Sequence, residues 1–158
     1  SERPHISRNR AIAYLLESKG YIEKNKDVEN SLHFYVKMCS LSVTAESLAG
    51  LGLILANDGI HPDTGKRLLS SQAVKIVKTL MFTCGMYDGS GEFAVRVGIP
   101  SKSGVGGGIL SVVDGEMGIG IFGPALDKKG NSVAGECVLE YMSHELHLHM
   151  FDPQRHTL

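Results

Sequence analysis

Residues 109–122 hold the feature that constrains the fold most, two apolar runs joined by Asp114 and Gly115. The runs read ILSVV and EMGIGIF. An Asp-Gly pair between apolar runs is a strong hairpin signal, because it accepts the positive φ angles of a tight primed turn. A lone hairpin is marginal in water and needs more strands on its face or edge. We therefore expect a larger antiparallel sheet, completed either by a second copy of the chain or by sequence beyond these 158 residues.

Most of the remaining chain has the pattern of helices, with apolar residues recurring at three- and four-residue spacing. Thr44 and Ser71 are the predicted N-caps of the third and fourth helices. Gly50 and Gly52 each cost the third helix about 1 kcal/mol relative to Ala, so we expect close packing against another helix there. The predicted helices span about 9–18, 28–39, 44–59 and 72–83, a short segment from Ser90, and about 132–149.

Composition and charge exclude several classes of function. The chain has 158 residues, enough for one domain, and a net charge of -1. That charge provides no field to hold nucleic acid by its phosphates, and no apolar run approaches the ~20 residues that span a bilayer. Cys39, Cys84 and Cys137 form neither a disulfide framework nor a zinc pattern. We expect buried thiols in a reducing cytoplasm, with no nucleic-acid or membrane partner.

The glycine loop at 100–108, PSKSGVGGG, suits a backbone that approaches a ligand closely. A phosphate-binding P-loop has its lysine after the glycines and a helix next, whereas here Lys102 precedes them and a strand follows. A dinucleotide fingerprint requires the same strand, glycine and helix order. The histidines of SHELHLHM lack the spacing of H-E-x-x-H. We therefore expect no cofactor and no metal ion, and acyl transfer fits the loop better.

Longer stretches point to a family. Lys102, Ser103 and Gly104 resemble the third motif, Lys-Thr-Gly, of serine β-lactamases and penicillin-binding proteins. Over about residues 1–136 the chain resembles the glutaminase family, serine-dependent amidohydrolases of the β-lactamase-like fold. The stretches that carry the resemblance are the SER....RN.AIAYLL opening, SLHFYVKMCSLSVTAESLA, MFTCGMYDGSGEFAVRVGIPSKSGVGGGI and LDKKGNSVAGE.

The resemblance implies an α/β (α+β) fold of the β-lactamase and penicillin-binding-protein type, with helices packed on an antiparallel sheet that is incomplete here. The family's nucleophile is the serine of a Ser-x-x-Lys motif, and no such motif occurs in these 158 residues. We therefore predict that residues 1–158 are the C-terminal segment of a glutaminase domain. The missing N-terminal half would supply the serine, the lysine and the remaining strands.

The resemblance also implies an activity, hydrolysis of L-glutamine to L-glutamate and ammonia through a serine acyl-enzyme. Glu2 and Asn9 match family residues around the α-amino and α-carboxylate groups of the substrate, and a carboxylate is the natural partner of an ammonium. Tyr35 matches a tyrosine beside the substrate. Tyr87 matches a tyrosine that acts in proton transfer, and the backbone N–H of Val105 matches an oxyanion-hole donor.

Other interpretations of the same residues stay open. From spacing alone, Tyr35 is a core aromatic residue and Glu2 a solvated terminal residue. Lys102 either tunes the field of the site or pairs at the surface, and Ser103 stands beside it in the motif. An ordinary phenol, with a pKa near 10, is a poor base at neutral pH, so the general base is either Tyr87, aided by a nearby ammonium, or the upstream lysine.

Two rival functions belong to other classes. One is a non-catalytic fragment that binds an amino acid or regulates a partner, and the other is a penicillin-recognising serine hydrolase. On the glutaminase hypothesis, the partners are L-glutamine, the missing half of the domain and further copies in a homo-oligomer. We expect the 158-residue chain alone to be inactive.

Overall fold

A computed structural model describes residues 6–23 and 27–155 of the chain. Its contacts divide the chain into two units, residues 1–42 and residues 43–158. Within the described ranges, no helix has both the length and the hydropathy that crossing a membrane requires.

The first unit is a pair of helices, α1 (Ser7–Ser18) and α2 (Val28–Cys39). Helix α2 begins after Asp27, whose carboxylate accepts the Asn30 N–H at 3.0 Å, and it has the predicted bounds. The buried side chains of this unit are apolar and come from one stripe of α2 and from Ile6, the residue before α1. They are Ile6, Val28, Leu32 and Val36.

The second unit packs four helices and a short 3-10 turn around a small sheet. The elements, in chain order, are α3 (Ala45–Ala56), α4 (Ser71–Cys84), the 3-10 turn (Tyr87–Gly89), α5 (Ser90–Arg96), β1 (Ser101–Ser103), β2 (Gly108–Val113), β3 (Met117–Phe122) and α6 (Val133–Glu145). The predicted third helix is confirmed together with its Thr44 cap, whose hydroxyl accepts the Ser47 N–H at 3.0 Å.

The sheet is antiparallel throughout, in the order β1-β2-β3. The predicted hairpin is confirmed as β2 and β3, paired from Gly108↔Phe122 to Val113↔Met117. Its connection has three residues, 114–116, and of the predicted Asp-Gly pair only Gly115 has a positive φ, 75°. The chain itself supplies one further strand, β1, so the expectation that every other strand lies elsewhere was wrong.

Helix α3 lies directly on the sheet because glycines meet at the contact. A β-carbon on Gly52 would stand 2.8 Å from the Cα of Gly118 on β3, and one on Gly118 would stand 2.1 Å from the Leu53 nitrogen. Gly50 has open space around it. The prediction of helix-to-helix packing was therefore wrong, since Gly52 faces a strand and a β-carbon on Gly50 would meet none of the described residues within 4 Å.

Strand β2 divides the interior of this unit, because successive side chains point to opposite faces of a sheet. Ile109 and Val113 pack in one apolar cluster with Leu139 of α6. Val112 packs in the other cluster with Leu55 of α3. The chemistry-bearing loops therefore stand on a sheet that is covered on both faces.

Three local predictions were wrong. The N-cap of α4 is Ser70, because the Ser71 hydroxyl donates instead to Asp58 at 2.6 Å. Helix α6 ends at Glu145, and the chain then turns at His147, which has φ 54°, so that Leu148 enters the core. The three cysteines are exposed, not buried.

Candidate active site

Tyr87 occupies a tight turn that directly follows α4. Its φ is 52°, in the left-handed region that a bulky side chain seldom adopts. Ser90 closes the turn: its hydroxyl accepts the Met86 N–H at 3.0 Å and donates to the Tyr87 carbonyl at 2.8 Å. Met86 is buried in the main core. The turn thus rests on the core while Tyr87 remains 38% exposed.

Lys102 of β1 lies over the ring of Tyr87, with Nζ 4.6 Å from the ring centroid. This is within the range of a cation–π interaction. The ammonium also donates to the Gly85 carbonyl at 3.3 Å and to the Ser103 carbonyl. Partial burial lowers the pKa of Lys102, and Cys84 acts weakly in the opposite direction. Each of these contacts is to the Tyr87 region or to β1 itself, and Lys102 is an exposed residue, so the two interpretations of Lys102 stay predictions.

Val105 lies at the tip of the turn between β1 and β2. The Gly107 N–H donates to the Gly104 carbonyl at 2.9 Å, which leaves Val105 and Gly106 as the two central residues. In such a turn the closing hydrogen bond uses neither central N–H. No acceptor for the Val105 N–H occurs among the described residues, and the residue is 63% exposed. This amide is available to a ligand.

A glycine in the loop after β3 lies beside both Tyr87 and Val105. Gly130 has φ +99°. A β-carbon built on it would lie 3.5 Å from Cγ1 of Val105 and 3.6 Å from Cε2 of Tyr87. The tyrosine ring and the valine side chain therefore flank the same residue.

Ser103 is buried, at 2% exposure, and its N–H donates to the Gly85 carbonyl at 3.0 Å. Among the residues that the structure describes, no group is bonded to its hydroxyl. Through Gly85, Ser103 and Lys102 both tie β1 to the end of α4, one residue before Met86. Strand β1 and the Tyr87 turn therefore form one connected assembly.

The remaining predicted residues belong to the first unit. Asn9 is half-buried on α1, and Tyr35 is exposed on α2, beside the buried Val36. Glu2 lies outside the described residues. The structure thus brings together Tyr87, Lys102, Ser103 and Val105, and it describes Asn9 and Tyr35 separately.

The histidine-rich end of α6 offers no metal site. Across residues 6–23 and 27–155, no group of three or more His, Cys, Asp or Glu side chains is placed to hold a metal ion. His147 is paired with Asp152 at 3.1 Å. The chemistry available around Gly130 is instead an amide donor, a phenol and an ammonium.

Comparison of this chain with known proteins identifies its family. The glutaminase family model matches residues 1–151. The glutaminase of Clostridium tetani is 57% identical over 151 residues, which are 96% of this chain and 49% of the relative. That of Fusobacterium nucleatum is 59% identical over 144 residues, 91% of this chain and 46% of the relative.

The chain belongs to the glutaminase family. It spans about half the length of the curated relatives that it matches.

Solved glutaminases confirm the predicted fold class. One crystal structure holds the covalent complex between a Bacillus subtilis glutaminase and 5-oxo-L-norleucine, formed by reaction of the protein with 6-diazo-5-oxo-L-norleucine. It matches this chain with a TM-score of 0.90 and 43% identity, over 96% of this chain and 53% of that one. The crystal structure of a Bacillus glutaminase in the presence of 4.3M NaCl matches with a TM-score of 0.89 and 44% identity. The helices and small antiparallel sheet are therefore those of a β-lactamase-like glutaminase.

Sequence reasoning missed three residues that shape this site, Ser90, Gly130 and Asn131. All three stand in stretches that carry the family resemblance, DGSG and KKGNS. Sequence patterns assigned Ser90 and Asn131 only the role of starting a helix, and no role in the site, because the contact of Asn131 with Met86 joins residues 45 positions apart.

Proposed function

We propose that these 158 residues form the C-terminal segment of a glutaminase domain that hydrolyses L-glutamine to L-glutamate and ammonia. The nucleophilic serine and its lysine would come from the N-terminal half. The observation that carries this proposal is that the side chains of Val105 and Tyr87 both flank Gly130, while the Val105 N–H has no acceptor among the described residues. In an acyl-transfer reaction, an amide donor and a proton-transfer group must both reach one carbonyl carbon.

In this mechanism the serine attacks the side-chain amide carbon of glutamine, and the carbonyl oxygen becomes an oxyanion. The Val105 N–H donates to that oxygen. Tyr87 moves a proton between the serine hydroxyl and the departing ammonia, while water then hydrolyses the acyl-enzyme. Lys102 holds the Tyr87 ring by its ammonium, so the phenol presents one face to the substrate.

The amino-acid end of glutamine carries one positive and one negative charge. We assign Glu2 to the ammonium, and Asn9 and Tyr35 to hydrogen bonds at this end of the substrate. Charge-assisted hydrogen bonds of this kind are stronger than neutral ones. This assignment rests on the match of these residues to the family pattern.

An ammonia-release assay tests the proposal. The full-length protein, meaning these residues with the upstream half of the domain, is assayed with L-glutamine, L-asparagine and a penicillin. We expect ammonia from glutamine, and none from the 158-residue chain by itself. Tyr87→Phe should lower kcat about 100-fold or more with KM nearly unchanged, the scale typical of a lost acid–base group. Tyr141→Phe, at a tyrosine 68% exposed on α6, is the control.

Two outcomes would contradict the proposal. Glutamine binding without turnover by the full-length protein would favour the non-catalytic alternative, and penicillin hydrolysis in place of ammonia release would favour the penicillin-recognising hydrolase. The homo-oligomer stays a prediction, and light scattering of the purified full-length protein tests it.

A further inference from the structure

The loop from Asp127 to Asn131 lies in the LDKKGNS stretch, to which the proposed chemistry gives no role. The Asp127 carboxylate accepts the N–H groups of Lys129, Gly130 and Asn131 at 2.9, 2.8 and 2.9 Å. The Asp127 N–H in turn donates to the Asn131 carbonyl at 2.8 Å. These four hydrogen bonds fix the loop in one shape, with Gly130 beside Tyr87 and Val105.

Asn131 extends this loop into the base of the Tyr87 turn. Its side chain is fully buried, and its Nδ2 donates to the Met86 carbonyl at 3.1 Å. Within the described part of the chain, no donor reaches its Oδ1. The side-chain amide of Asn131 therefore makes one hydrogen bond among the described residues, the one to Met86.

Ser90 binds the backbone N–H of Met86, the residue whose carbonyl accepts from Asn131. Its hydroxyl accepts the Met86 N–H and donates to the Tyr87 carbonyl. Both backbone polar groups of Met86 are therefore bonded to side chains, one from α5 and one from the 127–131 loop. These bonds hold the backbone of Met86, the residue that directly precedes Tyr87 and its positive φ.

We propose that Asn131 and Ser90 are positioning residues that hold Tyr87 in its left-handed backbone and keep its phenol beside the Val105 turn. This inference rests on the proposed function, in which Tyr87 transfers the proton. Neither residue touches the substrate. Losing either bond allows the turn to relax, so the phenol spends less time in the reactive position, whereas the groups that bind glutamine stay in place.

Single substitutions in the full-length protein test this inference. Ser90→Ala and Asn131→Ala should each lower kcat for glutamine at least tenfold, with KM within about threefold of wild type. Ser90→Thr keeps the hydroxyl and should retain kcat within about threefold. Because Asn131→Ala opens a buried space, Ser90→Ala is the variant that keeps the test decisive if the other fails to fold.

Ser143→Ala is the matched control. The Ser143 hydroxyl is buried and donates to the Val97 carbonyl at 2.6 Å, on α6 and away from the Tyr87 turn. It should lower Tm as much as Ser90→Ala does and leave kcat within about twofold of wild type. Equal kcat values for Ser90→Ala and Ser143→Ala, or a raised KM with kcat unchanged, would overturn the inference.

A second readout separates this inference from the proposed function. If wild type releases no ammonia from glutamine, the proposed function fails, and NMR of the ¹³C-labelled tyrosine rings then decides the inference. The Tyr87 resonance, assigned with Tyr87→Phe, should shift in Ser90→Ala and Asn131→Ala but not in Ser143→Ala. An unmoved resonance in both site variants would overturn the positioning role.

Discussion

The backbone of Tyr87 adopts a left-handed conformation that residues other than Gly, Asn and Asp rarely adopt. The left-handed region costs an ordinary residue about 1–2 kcal/mol, and Tyr87 has φ 52°. Its neighbour Met86 is 1% exposed and anchored in the main core, so the surroundings impose the conformation. Strain of this kind persists where the structure over-determines it, and it concentrates at functional sites.

Val105 offers a direct test of the oxyanion assignment, because proline removes an N–H while fitting the second position of a turn. We predict that Val105→Pro lowers kcat by about 10²–10³, the effect of losing one oxyanion-hole donor. Val105→Ala keeps the amide and should retain nearly all activity. Steady-state kinetics with glutamine measure both, and equal losses in the two variants would assign Val105 a side-chain role instead.

Among the elements, the 127–131 loop depends on an ionised carboxylate. Hydrogen bonds from the backbone N–H of Asn131, and then those of Lys129 and Gly130, hold the pKa of Asp127 below its ordinary 3.8. A carboxyl group with a lowered folded-state pKa stabilises the fold above its unfolded pKa, and that contribution is lost as pH falls through the folded value.

We therefore predict that Asp127→Ala lowers the urea midpoint equally at pH 7 and pH 5, and by a smaller amount at pH 3. Asp127→Asn, which keeps an acceptor oxygen but no titrating charge, is the control for the hydrogen bonds alone. A difference between wild type and Asp127→Ala that stays constant down to pH 3 would show that the charge of Asp127 does not stabilise the loop.

The contact of α3 with β3 predicts that alanine at two glycines of this helix changes the stability of the protein in opposite directions. Gly50→Ala meets no atom within 4 Å and should stabilise the protein by about 0.5–1 kcal/mol through helix propensity. Gly52→Ala places a β-carbon 2.8 Å from the Gly118 Cα and should destabilise it by about 1–3 kcal/mol through overpacking. Denaturant midpoints of the two variants measure this, and shifts of the same sign would contradict the packing.

Elements were predictable from sequence where local chemistry decides them. The Thr44 cap, the bounds of α2 and the hairpin at Gly115 all follow from residues close in the chain. Where distant contacts decide, prediction failed: β1 has only three residues, too few for a periodic pattern, and Leu148 draws the chain out of α6 to reach the core.

At the scale of the whole molecule, the sequence predicted the family and the fold class. The motifs that carry Tyr87 and Val105 are long, and the catalytic roles assigned to these two residues stay predictions. The supporting residues were not predictable. Asn131 is a buried polar residue whose partner, Met86, stands 45 positions earlier, and nothing local indicates that pairing.

In the proposed function, this chain is one half of a site whose nucleophile lies in the other half. It spans 49% of the Clostridium tetani glutaminase, and no Ser-x-x-Lys motif occurs among its 158 residues. In the proposed function, the amide of Val105 and the phenol of Tyr87 would act on a carbonyl that a serine from outside these residues attacks.

Peptide mapping after reaction with 6-diazo-5-oxo-L-norleucine tests this account most directly. The full-length protein should form a 5-oxo-L-norleucine adduct on an upstream serine followed three residues later by lysine, with none on residues 1–158 and none on the 158-residue chain alone. An adduct on any side chain within these residues would contradict the account.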